Sequence, residues 1–439
     1  MQTDYSKIVK RTVVIKSKQL PYDLLKEFKK IEQVYKEMLL ELIEYVIKNN
    51  VKSRSKLHKV FYRKFREKYP WLPSHYIHGA IGDALTRVKS FNELKKKGKA
   101  YTNKPVVKRV TIHVDSVLHK VYEDYISIST SLGRIKIYLQ KHKHWSKYFN
   151  DSWKVSNTNR FKVKDNELVF YITFKKECKV VDRPNVLVID LNENNATIGI
   201  SDGKSIQLLR YEYKLGDIVR RYHYKRRYIQ MKYGIHRKGV SPNLNPIFRK
   251  AMEKIKFRER RRKRDIIYKF VNFVINLAKK YNANIYVGLV NKEKIVNNCN
   301  NGELKHRLFQ WSVKTIINTL IDKGFEHGVR VVTINEAYTS SICPICGSRL
   351  TKNPSPMTHH VVRRGVMNTL RVKVLKFKFR IMKCHKCGLE EDRDVIAVLN
   401  MLKRTGKWVP PTLGTTAQTL IWGCGNPQII KTQININKN

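Results

Sequence analysis

From Pro21 to Asn50, apolar residues recur at helical spacing (Leu24, Leu25, Phe28, Ile31, Val34, Tyr35 and Met38), and Pro21 suits a helix start. The pattern predicts a long amphipathic helix there. Two shorter ones follow around 53–69 and 74–96, with lysines and arginines on their polar faces. Before them, residues 10–18 read as a basic strand. After them the period shortens. From 106 to about 182, segments such as "VVKRVTIHVD" and "GRIKIYLQ" alternate apolar and polar residues, which predicts antiparallel strands forming a small barrel. The helical block thus reads as an insertion after the barrel's first strand.

Val186 to Ile189 form an apolar run that ends on Asp190, and Ala196 to Ile200 resume the strand pattern before the turn Ser201-Asp202-Gly203. The result is a hairpin with an acid at its lip. Two long helical patterns with basic faces come next. A buried strand at 284–290 follows, then a helix from Leu308 to Phe325, a strand over 329–341 and a last helix over 394–404. The tail beyond Gly406 is rich in Pro, Thr, Asn and Gln and is expected to be loosely held. The order is that of a multidomain α+β chain.

Charge narrows the function. With 89 Lys and Arg against 35 Asp and Glu, the net charge is +54, an excess that a polyanion would neutralise. No run of about 18 apolar residues offers a membrane span, and "MQTDYSKIVK" has no signal-peptide core, so a nucleic acid in the cytoplasm, at the nucleoid, is the expected partner. Its contacts are assigned to the two basic helices, at Arg220, Arg221, Lys225, Arg226 and Arg227 on the first and Arg258, Arg260, Arg261 and Arg262 on the second. Tyr222, Tyr224 and Tyr228 interleave with these cations as candidate stacking surfaces.

Of seven cysteines, Cys178, Cys299 and Cys424 are scattered, while Cys343, Cys346, Cys384 and Cys387 form the twin motifs "CPICG" and "CHKCG". Two C-x-x-C pairs supply four thiolates, a closed tetrahedral set for structural Zn²⁺ with no position left for chemistry. His359, His360 and His385 lie nearby but are not needed as ligands. The segment between the pairs, "VVRRGVMNTLRVKVLKFKFRIMK", reads as a basic β-hairpin. Beyond Cys387, "EEDRDVIAVLNML" starts a helix with Asp392 or Asp394 at its N-terminus, where an ordinary N-cap is one reading.

Together these motifs resemble the TnpB proteins, transposon-encoded, RNA-guided DNA nucleases related to the type V CRISPR effectors. The match runs over about 184–406, most specifically in "HRLFQWSVKTIINTLIDKGFEHGVRVVTINEAYTSSICPICG", and the residues before it fit by layout alone. The resemblance implies a RuvC-like domain of the RNase H type at 184–338 and 391–406, with the zinc module inserted at 339–390 and a tail at 407–439. A wedge-like barrel is implied at 1–20 and 105–183, holding a helical recognition lobe at 21–104. It implies a guide RNA, a double-stranded DNA target and Mg²⁺, with Asp190 and Asp394 as the first and last catalytic acids.

One position departs from the family. The middle acid should close the strand "IYVGLV", where this chain has Gly288 followed by Leu289. Asn192 and Ile396 replace a Gly and an Asn of the family pattern. The expectation is an RNA-guided DNA-binding protein with weak or absent cleavage. Two alternatives stand beside it: an active endonuclease in which Glu336, at the next strand's end, completes the site, or a zinc-ribbon DNA-binding regulator that uses no guide.

Overall fold

The computed structural model describes residues 5–233, 246–361, 372–407, 416–422 and 428–433. The first strand, β1 (Tyr5–Ser17), gives way to α1 (Tyr22–Lys48), α2 (Arg54–Lys68) and α3 (His75–Lys96). Pro21 precedes α1 and the Ser53 side chain accepts from Lys56 N at the start of α2. Short strands follow: β2 (Ile112–Asp115), β3 (His119–Val121), β4 (Tyr125–Thr130), β5 (Gly133–Gln140), β6 (Lys154–Val155), β7 (Thr158–Lys164) and β8 (Glu167–Val180). Among the described residues they form one sheet in the order β2-β7-β8-β1-β5-β4-β3, with β6 pairing β8.

Helices and sheet in this unit, Ile8–Glu177, share one core. Phe28, Tyr35 and Met38 of α1 and Tyr76 and Ile77 of α3 are buried in the same cluster as Phe161, Phe170 and Phe174 of the sheet. The helical stretch inserted after β1 packs on the strands. An apolar stripe of this kind has to be buried against another layer, and the sheet supplies it.

The other unit takes in Cys178 onward and the first residues of β1. It holds β9 (Asn185–Leu191), β10 (Asn195–Ser201), β11 (Ile206–Glu212), α4 (Leu215–Lys232), α5 (Pro246–Lys280) and β12 (Ala283–Leu289). Next come α6 (Lys292–Asn297), α7 (Gly302–Phe309), α8 (Val313–Glu326) and β13 (Val331–Asn335). The cysteine region contributes β14 (Thr351–Val361), β15 (Val372–Lys383) and β16 (Glu390–Asp392), and the chain continues through α9 (Arg393–Arg404), β17 (Thr416–Trp422) and β18 (Gln428–Gln433). The central sheet runs β13-β12-β9-β10-β11-β17-β18. β9, β10 and β11 are antiparallel neighbours, whereas β12 is parallel to β9 and β13 to β12. One face of this sheet buries Leu187, Ile189 and Val287 against α5 and α8, and the other buries Val186 and Val188 against α9.

Two differences from the sequence reading stand out. The helix expected to begin at Leu308 is broken, because α7 ends at Phe309 and α8 starts at Val313. The ammonium of Lys292 donates to the carbonyls of Phe309 (2.7 Å) and Trp311 (2.9 Å), satisfying acceptors that a continuous helix would have used itself. The tail expected to be loose adds two strands, β17 pairing parallel with β11 from Leu209 opposite Leu420 to Tyr211 opposite Trp422. No helix among the described residues is long and apolar enough to cross a membrane.

Candidate active site, metal centre and nucleic-acid interface

Sheet register assembles the site. Asp190 on β9 is opposite Thr197 on β10, and Thr197 is opposite Arg210 on β11. On the other side β12 stays level with β9 up to Val287 opposite Ile189, so the next step sets Gly288 level with Asp190. Register partners share a face, and side chains alternate along a strand. Val186 and Val188 of β9, Tyr286 of β12 and Ile334 of β13 all pack with Val398, Leu399 and Leu402 of α9. Counting by twos from those residues, Asp190, Gly288 and Glu336 belong to the face that α9 covers.

Asp394 comes to this face at the start of α9. Asp392 is the N-cap, its carboxylate accepting from Asp394 N at 2.8 Å, and Asp394 itself is buried. Of the two acids left open by the sequence, Asp392 caps the helix and Asp394 is the one the helix presents to the sheet. One guanidinium Nη of Arg210 lies 2.9 Å from Asp394 and 3.3 Å from Asp392, tying both to β11. Sequence reasoning missed Arg210; its ion pair with Asp394 and its place in the row Asp190–Thr197–Arg210 across the sheet identify it. Asn192, the departure from the family's Gly, donates to Asp190 at 3.2 Å.

The most informative contact is at Gly288. Glu336 Oε2 occupies the space a Cβ on Gly288 would need, and Glu336 Cδ would stand 3.3 Å from that Cβ. A side chain is missing from β12, and a carboxylate from the end of the neighbouring strand fills its place. That Oε2 is buried and has no hydrogen-bond partner among the described residues. Burial pushes the Glu336 carboxyl above the usual carboxylate range. Thr197 Oγ1, in the same row as Asp190, is likewise buried without a partner.

The cysteines form a second, separate centre. All four sulfurs lie within 4.8 Å of one another, the one such group of three or more donors among the described residues. The carboxylates share a face but are not gathered that tightly. Cys343 and Cys387 sulfurs are 3.5 Å apart and those of Cys346 and Cys384 are 3.4 Å apart. A tetrahedron with 2.3 Å metal–sulfur bonds has edges of about 3.8 Å, so the spacing and the donor set fit Zn²⁺.

The two knuckles are built alike. Gly347 N donates to Cys343 O and Gly388 N to Cys384 O, both at 3.0 Å. Both glycines have positive φ, 74° and 73°, which only glycine adopts without cost at such a turn. Burial pushes the Cys343 thiol up to about 12. Burial also acts upward on Cys384, but the Ser348 hydroxyl, the Cys387 amide and neighbouring thiols outweigh it and bring the group down to about 6. His385 Nε2 is 2.9 Å from Thr351 Oγ1 and is not in the cluster. The expected basic hairpin forms as β14 and β15, with its tip outside the described residues, as is Cys424.

On the basic helices, Arg220, Arg221, Lys225, Arg227, Arg258, Arg260, Arg261 and Arg262 are exposed. Two residues differ from the reading. Arg226 is ion-paired with the buried Glu259, which Lys263 also meets at 2.8 Å, so its charge is already used. Tyr222 is buried and sits beneath Lys225 and Arg262 instead of offering a face, whereas Tyr224 and Tyr228 are exposed. Reversing Arg260 and Arg261 to Glu is expected to flatten the slope of log affinity against log salt for RNA binding by about 0.7–0.9 for each phosphate no longer neutralised. Arg226→Glu should instead lower the melting temperature, because it leaves Glu259 facing a like charge. Salt titrations and melting curves of the two variants separate these outcomes.

Residues 314–401 match the family model described as Cas12f1-like, TNB domain, and residues 31–129 match that of the uncharacterized protein MJ0013 family. Among curated proteins, the chain is 32% identical over 263 residues to the uncharacterized protein MJ0857 of Methanocaldococcus jannaschii, covering 55% of this chain and 93% of that protein. It is 29% identical over 265 residues to the TnpB-like protein MJ0751 of the same organism, covering 60% and 84% respectively. Among solved structures, it aligns with a Cas12f1–sgRNA–target DNA complex at TM-score 0.45 and 14% identity, covering 74% of this chain and 75% of that one.

Proposed function

This chain belongs to the TnpB family, and from that premise we propose that it is an RNA-guided DNA endonuclease whose third carboxylate is Glu336. The observation that carries the reading is the Glu336 carboxylate filling the vacant side-chain position of Gly288. It favours the substitute-acid alternative over the expectation of a degenerate site. The strand order β11-β10-β9-β12-β13, antiparallel for its first three members and parallel beyond, supports the RNase H-type reading of this domain.

Asp190, Glu336 and Asp394 are the residues that would hold Mg²⁺, and their oxygen donors suit a hard cation. The ion, when bound, supplies positive charge to the scissile phosphate and an activated water. The chain's own work is to present the donors. Asn192 fixes the Asp190 carboxylate, and Arg210 holds Asp394 through its Oδ2. Glu336 Oε2 is kept desolvated with no hydrogen-bond partner among the described residues, a cost that a cation would offset. Zn²⁺ at the four cysteines has a structural part, pinning the turns on either side of the hairpin.

The guide is tested by what copurifies. An RNA of one discrete length should accompany the protein, and its removal should abolish sequence-specific DNA binding while leaving weak, salt-sensitive binding. Sequence-specific binding that survives RNA digestion would overturn the reading in favour of a guide-independent zinc-ribbon regulator.

A further inference from the structure

Between Glu336 and the first cysteine the chain makes a turn that its neighbours hold from several sides. Asn335 Oδ1 accepts from Ala337 N at 2.9 Å, and the carbonyl of Glu336 accepts from both the amide (3.2 Å) and the hydroxyl (2.8 Å) of Thr339. From α9, the Arg404 guanidinium donates to the carbonyls of Asn335 and Ala337. Asn400 Nδ2 donates to those of Thr339 and Ile342, both at 2.7 Å. In the middle of this turn Tyr338 has φ 63°, a left-handed conformation that is costly for an aromatic residue. Strain of this kind persists only where the surroundings over-determine it, and it concentrates at functional sites.

The strained residue is not used for packing. Tyr338 is 73% exposed, and its ring has no aromatic partner among the described residues. It borders a depression of about 190 Å³ lined also by Thr339, Ile342, Asn400, Lys403 and Arg404. Lys403 is exposed beside it, so a bare ring and a cation share one small concavity. That pairing suits a nucleotide: a base stacks on the ring while its phosphate meets the ammonium. Two residues of chain span at most about 7 Å, so the backbone of Tyr338 lies close to that of Glu336, while the depression itself is lined by the second half of α9 and the first cysteine knuckle.

We propose that Tyr338 is a positioning residue, a stacking platform that seats one base of the single DNA strand at the scissile bond. The inference rests on the carboxylate row being a cutting site. A single strand is favoured over a duplex because only an unpaired base exposes its face to a ring. The left-handed turn lifts the ring out of the surface, and its bracing by Arg404 and Asn400 fixes it relative to α9, which carries Asp394.

The test uses the full-length protein, loaded with its copurifying RNA and kept free of Mg²⁺. The probe is a single-stranded oligonucleotide that matches that guide and extends beyond it at both ends, with one 2-aminopurine moved stepwise through the unpaired extensions. Wild type should quench the probe at one position. Tyr338→Gly should lose that quench and weaken single-strand binding about tenfold. It should retain zinc and melt no lower than wild type, since glycine adopts positive φ freely. Tyr338→Phe and Tyr338→Trp should keep both quench and affinity. With Mg²⁺ restored, the glycine variant should also cut less uniformly around the wild-type position.

A glycine variant that quenches, binds and cuts as wild type does would overturn the proposal while leaving the nuclease reading intact. So would a phenylalanine variant as impaired as the glycine one, because the hydroxyl would then be the active group. If wild-type protein neither binds the matched strand nor cuts, the nuclease reading itself falls, and this inference with it.

Discussion

Replacing Glu336 with alanine should lower Mg²⁺-dependent DNA cutting at least about a hundredfold while leaving guide and target binding unchanged. Loss of an outer-shell partner alone typically costs 10–100-fold, and a direct ligand is expected to reach the top of that range or pass it. Asp190→Ala and Asp394→Ala should match it. The sharper test is exchange. A Cβ at 288 collides with Glu336 Oε2, so Gly288→Ala should displace the carboxylate and reduce cutting although the protein still folds. Gly288→Glu in the wild-type background should fare no better, since two acids then compete for one space. Combined with Glu336→Ala, the same Gly288→Glu should recover cutting, because the space is vacated and a carboxylate enters from β12.

A second readout separates function from structure. In EDTA, Glu336→Gln should melt at or above wild type, since it removes charge from a half-buried carboxylate whose buried Oε2 has no hydrogen-bond partner among the described residues. Full cutting by Glu336→Ala would sink the assignment. Absence of cutting by wild-type protein in either Mg²⁺ or Mn²⁺ would restore the degenerate-site expectation.

What the sequence revealed depended on how local the signal was. Asp190 was legible because an apolar strand ending on an acid is contiguous, and the cysteine pairs because each knuckle closes on itself. The first basic helix was legible in position but not in detail. Arg226 and Tyr222 carry the same letters as their exposed neighbours, and only packing against α5 turns them inward. Glu336 could be picked out as a candidate, but its occupation of the Gly288 position depends on the pairing of β12 with β13, a relation between residues far apart in the chain. Arg210 was invisible for the same reason. The start of α7 was missed although Asn301 caps it, accepting from Leu304 N at 2.9 Å, because the surrounding "NNCNNGEL" is too polar to show a period. The tail strands were hidden by the Pro, Asn and Gln residues in and around them, although the Thr residues within them favour strands.

Removing the zinc is expected to disable the active site as well as the module that holds it. With Mg²⁺ in excess, a zinc-selective chelator should release about one Zn²⁺ per chain, lower the melting temperature and abolish cutting, and added Zn²⁺ should restore both. The energetics favour a large effect, since a structural Zn²⁺ contributes on the order of 10–16 kcal/mol to its local fold, as much as an ordinary domain's whole stability. The coupling to chemistry follows from packing. Cys343 and Cys384 share a small core with Leu389 and with Ile396, which lies two residues after Asp394 on α9. β16, ending on Asp392, is paired with β15 through Ile381, Met382 and Lys383, immediately before Cys384. On the other side, Asn400 and Arg404 of α9 brace the turn that runs from Glu336 to Cys343. Loss of the four-sulfur anchor therefore loosens both approaches to the site, the one bearing Asp394 and the one bearing Glu336. Cys343→Ser and Cys387→Ser should each reproduce the chelated state, whereas Cys299→Ser, a thiol outside the cluster, should not. Unchanged melting and undiminished cutting in both knuckle variants would show that the cysteines hold no metal that matters to the fold.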